Sequence, residues 1–515
     1  MKLSAQKLDK ALWLLTITAV LFSAIVGISS VLFEIRPFGL DEWFIIYNLK
    51  TKTAPALLGK LDLMQQFPRI YLVLVKWFTA AFNYSYFSLR LPAFLVSLLV
   101  MALCMHLAKV IFGIRVWQRY LLILFVISSY PFTEYMVQSK QYTMDLLAVL
   151  VALWQVIEFW QLRQGPPMFT LKYLLLCLSC IVVPFFSYEY PMAIAPVFFL
   201  AFPRLVSLIR EKSAQARTTL IIMIVLPLLL SAFSLAVFYV FDVKQLMADS
   251  AMYTFWSFLS FDRQHPLSSS FNCGYRLFAQ WGAGDLFENI VGVLGCVSFP
   301  WAIRAIVRNY RLAEKSLPAQ LLLYSCLVLV VAFVLFFAGK LPLGNPRLNT
   351  FTLPAVAMLI INLLTDIDFN VRRNFSRLAL PALLCVGLAG NVFTAHINYF
   401  LSDEHKIQMA VYLATEKAIK DASQSNLPML VTSGLSQPYE VGANPGGEPE
   451  PITWLVKTFP AYDMRLQIPI YGMNSMADLD STLPALPATV SEIIVGDGLN
   501  YKICTRGALG KPPNP

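Results

Sequence analysis

The sequence predicts an all-α polytopic membrane protein with about eleven transmembrane helices, and three observations lead there. Of the 515 residues, 57% are hydrophobic and only 14% charged, and the mean hydropathy is +0.63. The apolar residues gather in repeated runs of about 20, the length that crosses a bilayer as a helix. Within those runs hydrophobicity is continuous rather than alternating, which excludes the strands of a membrane β-barrel.

The runs fall near residues 12–33, 86–112, 119–130, 142–161, 171–187, 190–202, 219–241, 287–307, 320–338, 349–364 and 377–397. The first follows Lys2, Lys7 and Lys10 and begins like a signal peptide. It is too long for that and lacks a small-residue cleavage site, so it reads as a membrane helix. The segments 119–130 and 190–202 are short and read as broken helices or re-entrant pieces. Alternate loops carry the basic residues, among them Arg115 and Arg119, Arg163 and Lys172, Arg204 to Arg217, Arg304 to Lys315, and Arg372 to Arg377. That bias places these loops and the N-terminus in the cytoplasm. The complementary loops, with Asp41, Glu42, Asp62, Glu134, Glu189, Asp242, Asp262 and Asp285, face outward. The net charge of +10 is then a matter of topology, and nucleic acid is not an expected partner. The localisation this implies is a multi-pass bacterial inner membrane protein.

The first outer loop, 34–85, holds two expected interfacial helices. Residues 41–50 form one lying on the membrane surface, and the apolar but short stretch 68–82, with Arg69 and Lys76, forms the second. An odd number of spans leaves the C-terminal segment outside. There, residues 401–515 read as a small α/β extracytoplasmic domain, distinct from the transmembrane domain of 1–400. Helical spacing covers 406–421, and strands are expected at Met429–Thr432 and Ile493–Val495. Asn444-Pro445-Gly446-Gly447 reads as a loop and Gly510 to Pro515 as a disordered tail. Most of the eight cysteines lie in the spans and read as core packing, Cys177 and Cys180 on one helix face. Cys273 and Cys504 lie outside the expected spans and would be able to pair in an oxidising compartment.

Against this apolar background Asp41-Glu42 stands out. Two carboxylates at a membrane interface suit a general base or a divalent cation site, Mg or Mn. They equally suit a helix N-terminus, where acids favour the macrodipole and Asp41 would cap the helix that follows. Further outward segments carry polar residues: Gln65-Gln66-Phe67-Pro68-Arg69-Ile70-Tyr71, Ser88-Leu89-Arg90-Leu91-Pro92, Gln138-Ser139-Lys140-Gln141-Tyr142-Thr143-Met144-Asp145, Ser187-Tyr188-Glu189-Tyr190-Pro191, and Lys340-Leu341-Pro342-Leu343-Gly344-Asn345-Pro346-Arg347 followed by Phe351 and Pro354. The four histidines are too scattered for a metal cluster, and His265 reads as a loop residue.

In that order and on one face, these segments resemble the GT-C membrane glycosyltransferases, the superfamily of protein O-mannosyltransferases and aminoarabinose transferases, over roughly residues 10–400. Its members have an acidic pair before a surface helix, matched by Asp41-Glu42. An aromatic, Pro-containing segment is matched by 65–78, and an Arg-Leu-Pro by Arg90-Leu91-Pro92. Lys140 to Asp145 is similar to a Lys-Gln-Tyr-Ser-x-Asp segment, and Pro342 to Pro354 to a late Pro-x-Gly-x-x-Arg followed by Phe and Pro. The chain departs from the pattern at Gln138, where relatives often carry Glu. Either Glu134 or Asp145 replaces that acid, or the role is not needed.

The resemblance implies transfer of a sugar from a polyprenyl-phosphate donor to a glycan, lipid or protein acceptor on the outer face, with inversion. Membrane lipids are the other expected partners. A leaving lipid phosphate needs positive charge, and Lys140, Arg347, Arg69 and Lys340 are the outward cations able to supply it. Ordinary snorkelling at the interface is the other account of Arg69 and Lys340. Asp41 is the expected base, with Glu42 orienting it or holding a cation. Tyr142, Asp145, Tyr188 and Glu189 would line the pocket, the tyrosines serving otherwise as an aromatic belt. The long outward loop 242–286, with Trp256, Asp262, Arg263, Trp281 and Asp285, would shape the acceptor site. Two other classes compete: a flippase for a lipid-linked glycan, which would place charges mid-span, and a noncatalytic assembly protein. A polymerase or ligase of surface polysaccharide would share the donor and the location.

Overall fold

The computed structural model describes residues 5–63, 65–113, 116–162, 170–211, 214–244, 260–282, 284–308, 316–370, 376–432, 459–462, 470–473, 492–496 and 501–505. Among these, seven helices are long and apolar enough to cross a membrane. Their apolar parts are Lys7–Leu32, Tyr86–Phe112, Tyr142–Gln161, Ile221–Val243, Leu286–Arg308, Leu317–Phe337 and Ala379–Asn398. Four shorter apolar helical segments, Trp117–Ser128, Leu171–Phe186, Tyr190–Ala201 and Thr350–Asp366, complete the bundle. They coincide with the eleven apolar runs of the sequence.

The chain opens with α1 (Ala5–Leu32). Then come α2 (Leu40–Thr51), α3 (Arg69–Ala81) and α4 (Tyr86–Phe112). The last starts at Ser85, whose hydroxyl caps Ser88 N–H, and stops at Gly113, where φ is +55°. Next are α5 (Val116–Ser128), the single turn α6 (Tyr130–Thr133), α7 (Tyr142–Gln161), α8 (Leu171–Val182), α9 (Tyr190–Glu211) and α10 (Ala214–Phe238). The end of α10 widens into a π-turn at Tyr239–Val243. Beyond it lie α11 (Pro266–Ala279), α12 (Gly284–Arg308), α13 (Leu317–Phe337), α14 (Leu353–Asn370) and α15 (Ser376–Leu401).

The short α5 is one unbroken helix. Leu121, Leu122, Leu124, Phe125, Val126 and Ile127 are all fully buried, with α1, α4, α14 and α15 packed around it. A helix walled in by protein need not match the thickness of lipid, and from Leu121 to Ile127 it is apolar all round. Likewise α9 continues well past the apolar segment at its start.

The first loop differs from expectation in one respect. Helix α2 forms, but it is not a surface helix. Trp43, Ile45, Ile46 and Leu49 are all fully buried, because the C-terminal segment covers the face expected to meet lipid. That segment consists of α16 (Asp403–Ser425) and the strands β1 (Met429–Thr432), β2 (Ile470–Met473), β3 (Glu492–Gly496) and β4 (Tyr501–Thr505). The strand order is β2-β1-β3-β4. The first two pairings are parallel, Leu430 facing Tyr471 and Val495, and the last is antiparallel, Ile494 facing Ile503. Phe38, Trp43, Leu49, Tyr71 and Tyr86 share one hydrophobic core with Tyr412, Ile419, Phe459 and Ile494. Trp43 stacks on Phe459 at 4.6 Å and Tyr412 stacks on Phe459 at 5.6 Å. The ammonium of Lys50 donates to the carbonyls of Phe459 and Tyr462.

Helix α3 is two-faced, as the sequence suggests. Tyr71, Leu72, Val75 and Thr79 are buried, while Ile70, Leu74 and Trp77 are exposed in a stripe at helical spacing. Cys273 is buried on α11. The side chain of Cys504, the loop at 444–447, Trp256, the side chain of Asp285 and the tail at 510–515 lie outside the described residues.

Candidate active site

The site is built outward from the N-terminus of α2. Gly39 precedes the helix in extended conformation (φ −73°, ψ 162°) and has no side chain to cap it. Glu42 performs half of a capping box instead, its Oε2 accepting Gly39 N–H at 2.9 Å. The cap is therefore Glu42 and not Asp41. The same carboxylate accepts Nη1 of Arg90 at 2.9 Å through Oε1 and at 3.2 Å through Oε2. Its Oε1 also accepts Ser139 N–H at 2.8 Å. Both partners of the Glu42–Arg90 pair are 0% exposed. The Arg90 guanidinium further donates to the carbonyls of Val137 (3.1 Å), Arg36 (3.1 Å) and Pro37 (2.7 Å). It lies over the rings of Phe38 and Tyr86 at 4.5 and 5.3 Å. Both Nη groups are thus engaged, while Nε has no partner among the described residues. An ion pair this deep is costly to break, about 3–5 kcal/mol when one partner is removed.

One residue back, Asp41 points the other way. It is 39% exposed and accepts Nη1 of Arg347 at 3.1 Å. Arg347 follows the Gly344 turn (φ +85°) after α13, and its backbone N–H is held by Asn345 Oδ1. Its guanidinium lies over the rings of Tyr135 and Tyr130 at 5.5 and 5.9 Å. Tyr142 packs on Tyr135 at 4.5 Å and stands beside Asp41 and Arg347. A pair this exposed contributes about 0–1 kcal/mol, so an incoming anion takes Arg347 away from Asp41 at little cost.

Lys140 completes the group. It is only 4% exposed, and the described hydrogen bond of its ammonium goes to a neutral acceptor, Gln65 Oε1, at 2.6 Å. Burial holds its pKa below the ordinary lysine value, and Arg347 adds to that, while Asp41 and Glu42 oppose it. Two cations, Lys140 and Arg347, thus face one partly exposed carboxylate.

The other expected site residues form separate groups. Arg69 does not join Asp41. At the start of α3 its N–H is capped by Asp242 Oδ2 at 2.8 Å, and its Nε lies 3.7 Å from Asp242 Oδ1. Tyr188 donates to the same Oδ1 at 2.7 Å. Burial and the Asp242 charge hold the Tyr188 phenol well above its ordinary pKa. Asp145 accepts Ser187 Oγ–H at 2.6 Å, and Glu189 accepts Phe351 N–H at 2.5 Å. Both are buried, and burial, with Asp145 nearby, raises Glu189 well above the carboxylate range. Lys340 stays outside all three groups. It is exposed at the end of α13, where Gly339 turns the chain away (φ +67°). Glu134, an alternative acid for the position of Gln138, accepts Arg36 Nη2 and Gln138 Nε2, each at 2.7 Å.

Sequence reasoning missed Arg90 as the hub, Gln65 as the partner of Lys140, and Tyr130 and Tyr135 beneath Arg347. Arg90 alone carried a usable sign, an arginine at the head of an otherwise apolar span. A divalent cation does not fit the acidic pair. Glu42 spends both oxygens on a guanidinium and two backbone N–H groups, and Asp41 faces a second guanidinium. Among the described residues no three His, Cys, Asp or Glu side chains converge.

No protein-family model matches the chain, and no curated protein matches it. Two solved structures show a loose likeness over nearly their full length. One is ArnT from Cupriavidus metallidurans in the apo state, with 12% identity and a TM-score of 0.49, covering 98% of this chain and 99% of that one. The other is the same protein bound to undecaprenyl phosphate, with 12% identity and a TM-score of 0.47, covering 96% and 99%.

Proposed function

We propose that this chain is a membrane glycosyltransferase that moves a sugar from a polyprenyl-phosphate donor to an acceptor, with Asp41 as general base and inversion at the anomeric carbon. One observation carries the reading: Lys140, Arg347 and Asp41, from three distant parts of the chain, meet at the mouth of an apolar helical bundle. A lipid-borne phosphate diester suits such a place, its chain in hydrocarbon and its headgroup against two cations.

The phosphate draws Arg347 from Asp41 and shares Lys140, whose ammonium gives up the neutral Gln65. Asp41 is then free to accept the proton of an acceptor hydroxyl or amine. The acceptor atom forms its bond to the anomeric carbon as the bond from that carbon to the phosphate oxygen breaks. The electron pair leaves with the phosphate, where Arg347 in a fork and Lys140 as a point charge stabilise it. The products are a glycosylated acceptor and polyprenyl phosphate, and the proton rests on Asp41. Tyr142 and Tyr135 wall the site beside Arg347. No step requires a metal ion.

The test is release of undecaprenyl phosphate by the purified protein from a panel of undecaprenyl-phosphate hexoses and pentoses, with water and supplied alcohols and amines as acceptors of the sugar. Release that disappears in Asp41→Asn supports the reading. Movement of labelled lipid across vesicles with no release would identify a flippase, and neither activity would leave an assembly role.

A further inference from the structure

We infer that Arg90 is a positioning residue, whose guanidinium sets where Asp41 and Lys140 stand relative to one another. This rests on the proposed function. Neither Arg90 nor Glu42 is exposed, so neither touches substrate, and both act through their neighbours.

The geometry is that of a clamp with two jaws. One jaw is the approach to α2: Arg90 holds the carbonyls of Arg36 and Pro37 and the carboxylate of Glu42, and Asp41 is the next residue. The other jaw is the loop ahead of α7: Arg90 holds the Val137 carbonyl, Glu42 Oε1 holds Ser139 N–H, and Lys140 is the next residue. Ser139 is pinned a second time, its hydroxyl donating to the Leu89 carbonyl on α4, one residue before Arg90. A single carboxylate oxygen thus joins both jaws, accepting Arg90 on one side and Ser139 on the other. Phe38 and Tyr86 close over the guanidinium faces, and Tyr86 donates to the Arg36 carbonyl at 2.6 Å. Lysine in place of Arg90 would keep the charge and lose the fork that reaches both jaws at once.

A misplacement of about 1 Å between base and leaving-group cation costs on the order of 10²-fold in rate. The role therefore predicts a kcat effect that outruns any binding effect. It also predicts an electrostatic one, because Asp41 and, to a smaller extent, Glu42 support the Lys140 ammonium. In Glu42→Gln the Glu42 share of that support is gone, and Lys140 is expected to lose its proton at lower pH.

The test has two readouts on the full-length protein in detergent. The first is the affinity for undecaprenyl phosphate as a function of pH. Binding weakens as Lys140 deprotonates, and this alkaline limb is expected at lower pH in Glu42→Gln than in the wild type. The second is release of undecaprenyl phosphate from the donor that supports it. Arg90→Lys is expected to lower kcat by about 10–100-fold with KM changed less than about threefold. A folded Arg90→Lys protein with wild-type kcat, or an unmoved alkaline limb in Glu42→Gln, overturns the inference. Should those variants not fold, Glu42→Asp decides: a lowered kcat with the limb in place supports the clamp, and a wild-type kcat overturns it. A wild type that binds undecaprenyl phosphate but releases none from any donor overturns the proposed function instead, and the alkaline limb still tests the clamp.

Discussion

Glu416 is expected to make the attachment of the C-terminal segment depend on pH. It lies on α16 at the core shared with α2 and is 6% exposed. The Ala461 N–H donates to its carboxyl, while Oε2 has no hydrogen-bond partner among the described residues. Burial raises its pKa from 4.5 to about 7; Glu34 adds to the rise, and the Ala461 N–H, Lys420 and Lys50 oppose it. The folded state therefore prefers the protonated acid. Its contribution is complete below pH 4.5 and is lost as pH climbs through about 7. A shift of this size corresponds to about 3 kcal/mol at 1.36 kcal/mol per unit, most of it lost between pH 5 and 8. Glu416→Gln mimics the neutral acid and should remove the slope, leaving the variant up to about 3 kcal/mol more stable than wild type at pH 8. Hydrogen exchange of α16 and β1 in detergent, taken across that range, measures this directly. A variant whose slope parallels the wild type, or one less stable than wild type at pH 8, would refute the reasoning.

Three other outcomes are expected. Asp41→Asn should abolish transfer by about 10²-fold or more while keeping affinity for undecaprenyl phosphate; equal loss of both would remove Asp41 as the base. Lys140→Met should raise the melting temperature of the ligand-free protein, since it deletes a buried cation held by a neutral partner, and weaken phosphate binding about tenfold. A lowered melting temperature with intact binding would contradict that. Asp242→Ala should cost about 3–5 kcal/mol, because it strips the charge partner from a buried Arg69 and the cap from α3; a loss under 1 kcal/mol in urea unfolding would show the pair to be dispensable.

The helical bundle was legible because hydrocarbon demands long apolar helices, and length alone marked even the enclosed α5. The meeting of Asp41, Lys140 and Arg347 was legible for a related reason: each is a charge placed against apolar spans, where chance charges are rare. The two carboxylates of the acidic pair were not separable in sequence. Which one faces inward depends on Arg90, 48 positions away, and on a helix turn that points neighbouring side chains in different directions. Arg69 and Lys340 carry the same charge as Lys140, yet one found Asp242, 173 positions away, and the other was turned out by Gly339. Helix α2 looked like a surface helix because the cover over its apolar face is supplied by the far end of the chain. Such pairings leave no local pattern to read.

The bond between Lys50 and the Phe459 carbonyl spans 409 positions. At a synthesis rate of about 5–20 residues per second, roughly 20–80 s pass between the appearance of the one and of the other. Throughout that interval the helix carrying Asp41 lacks the wall on which Trp43 rests. The seat of α2 is therefore completed from the far side of the sequence, and a chain cut near position 402 would leave the buried face of Trp43 without Tyr412 and Phe459.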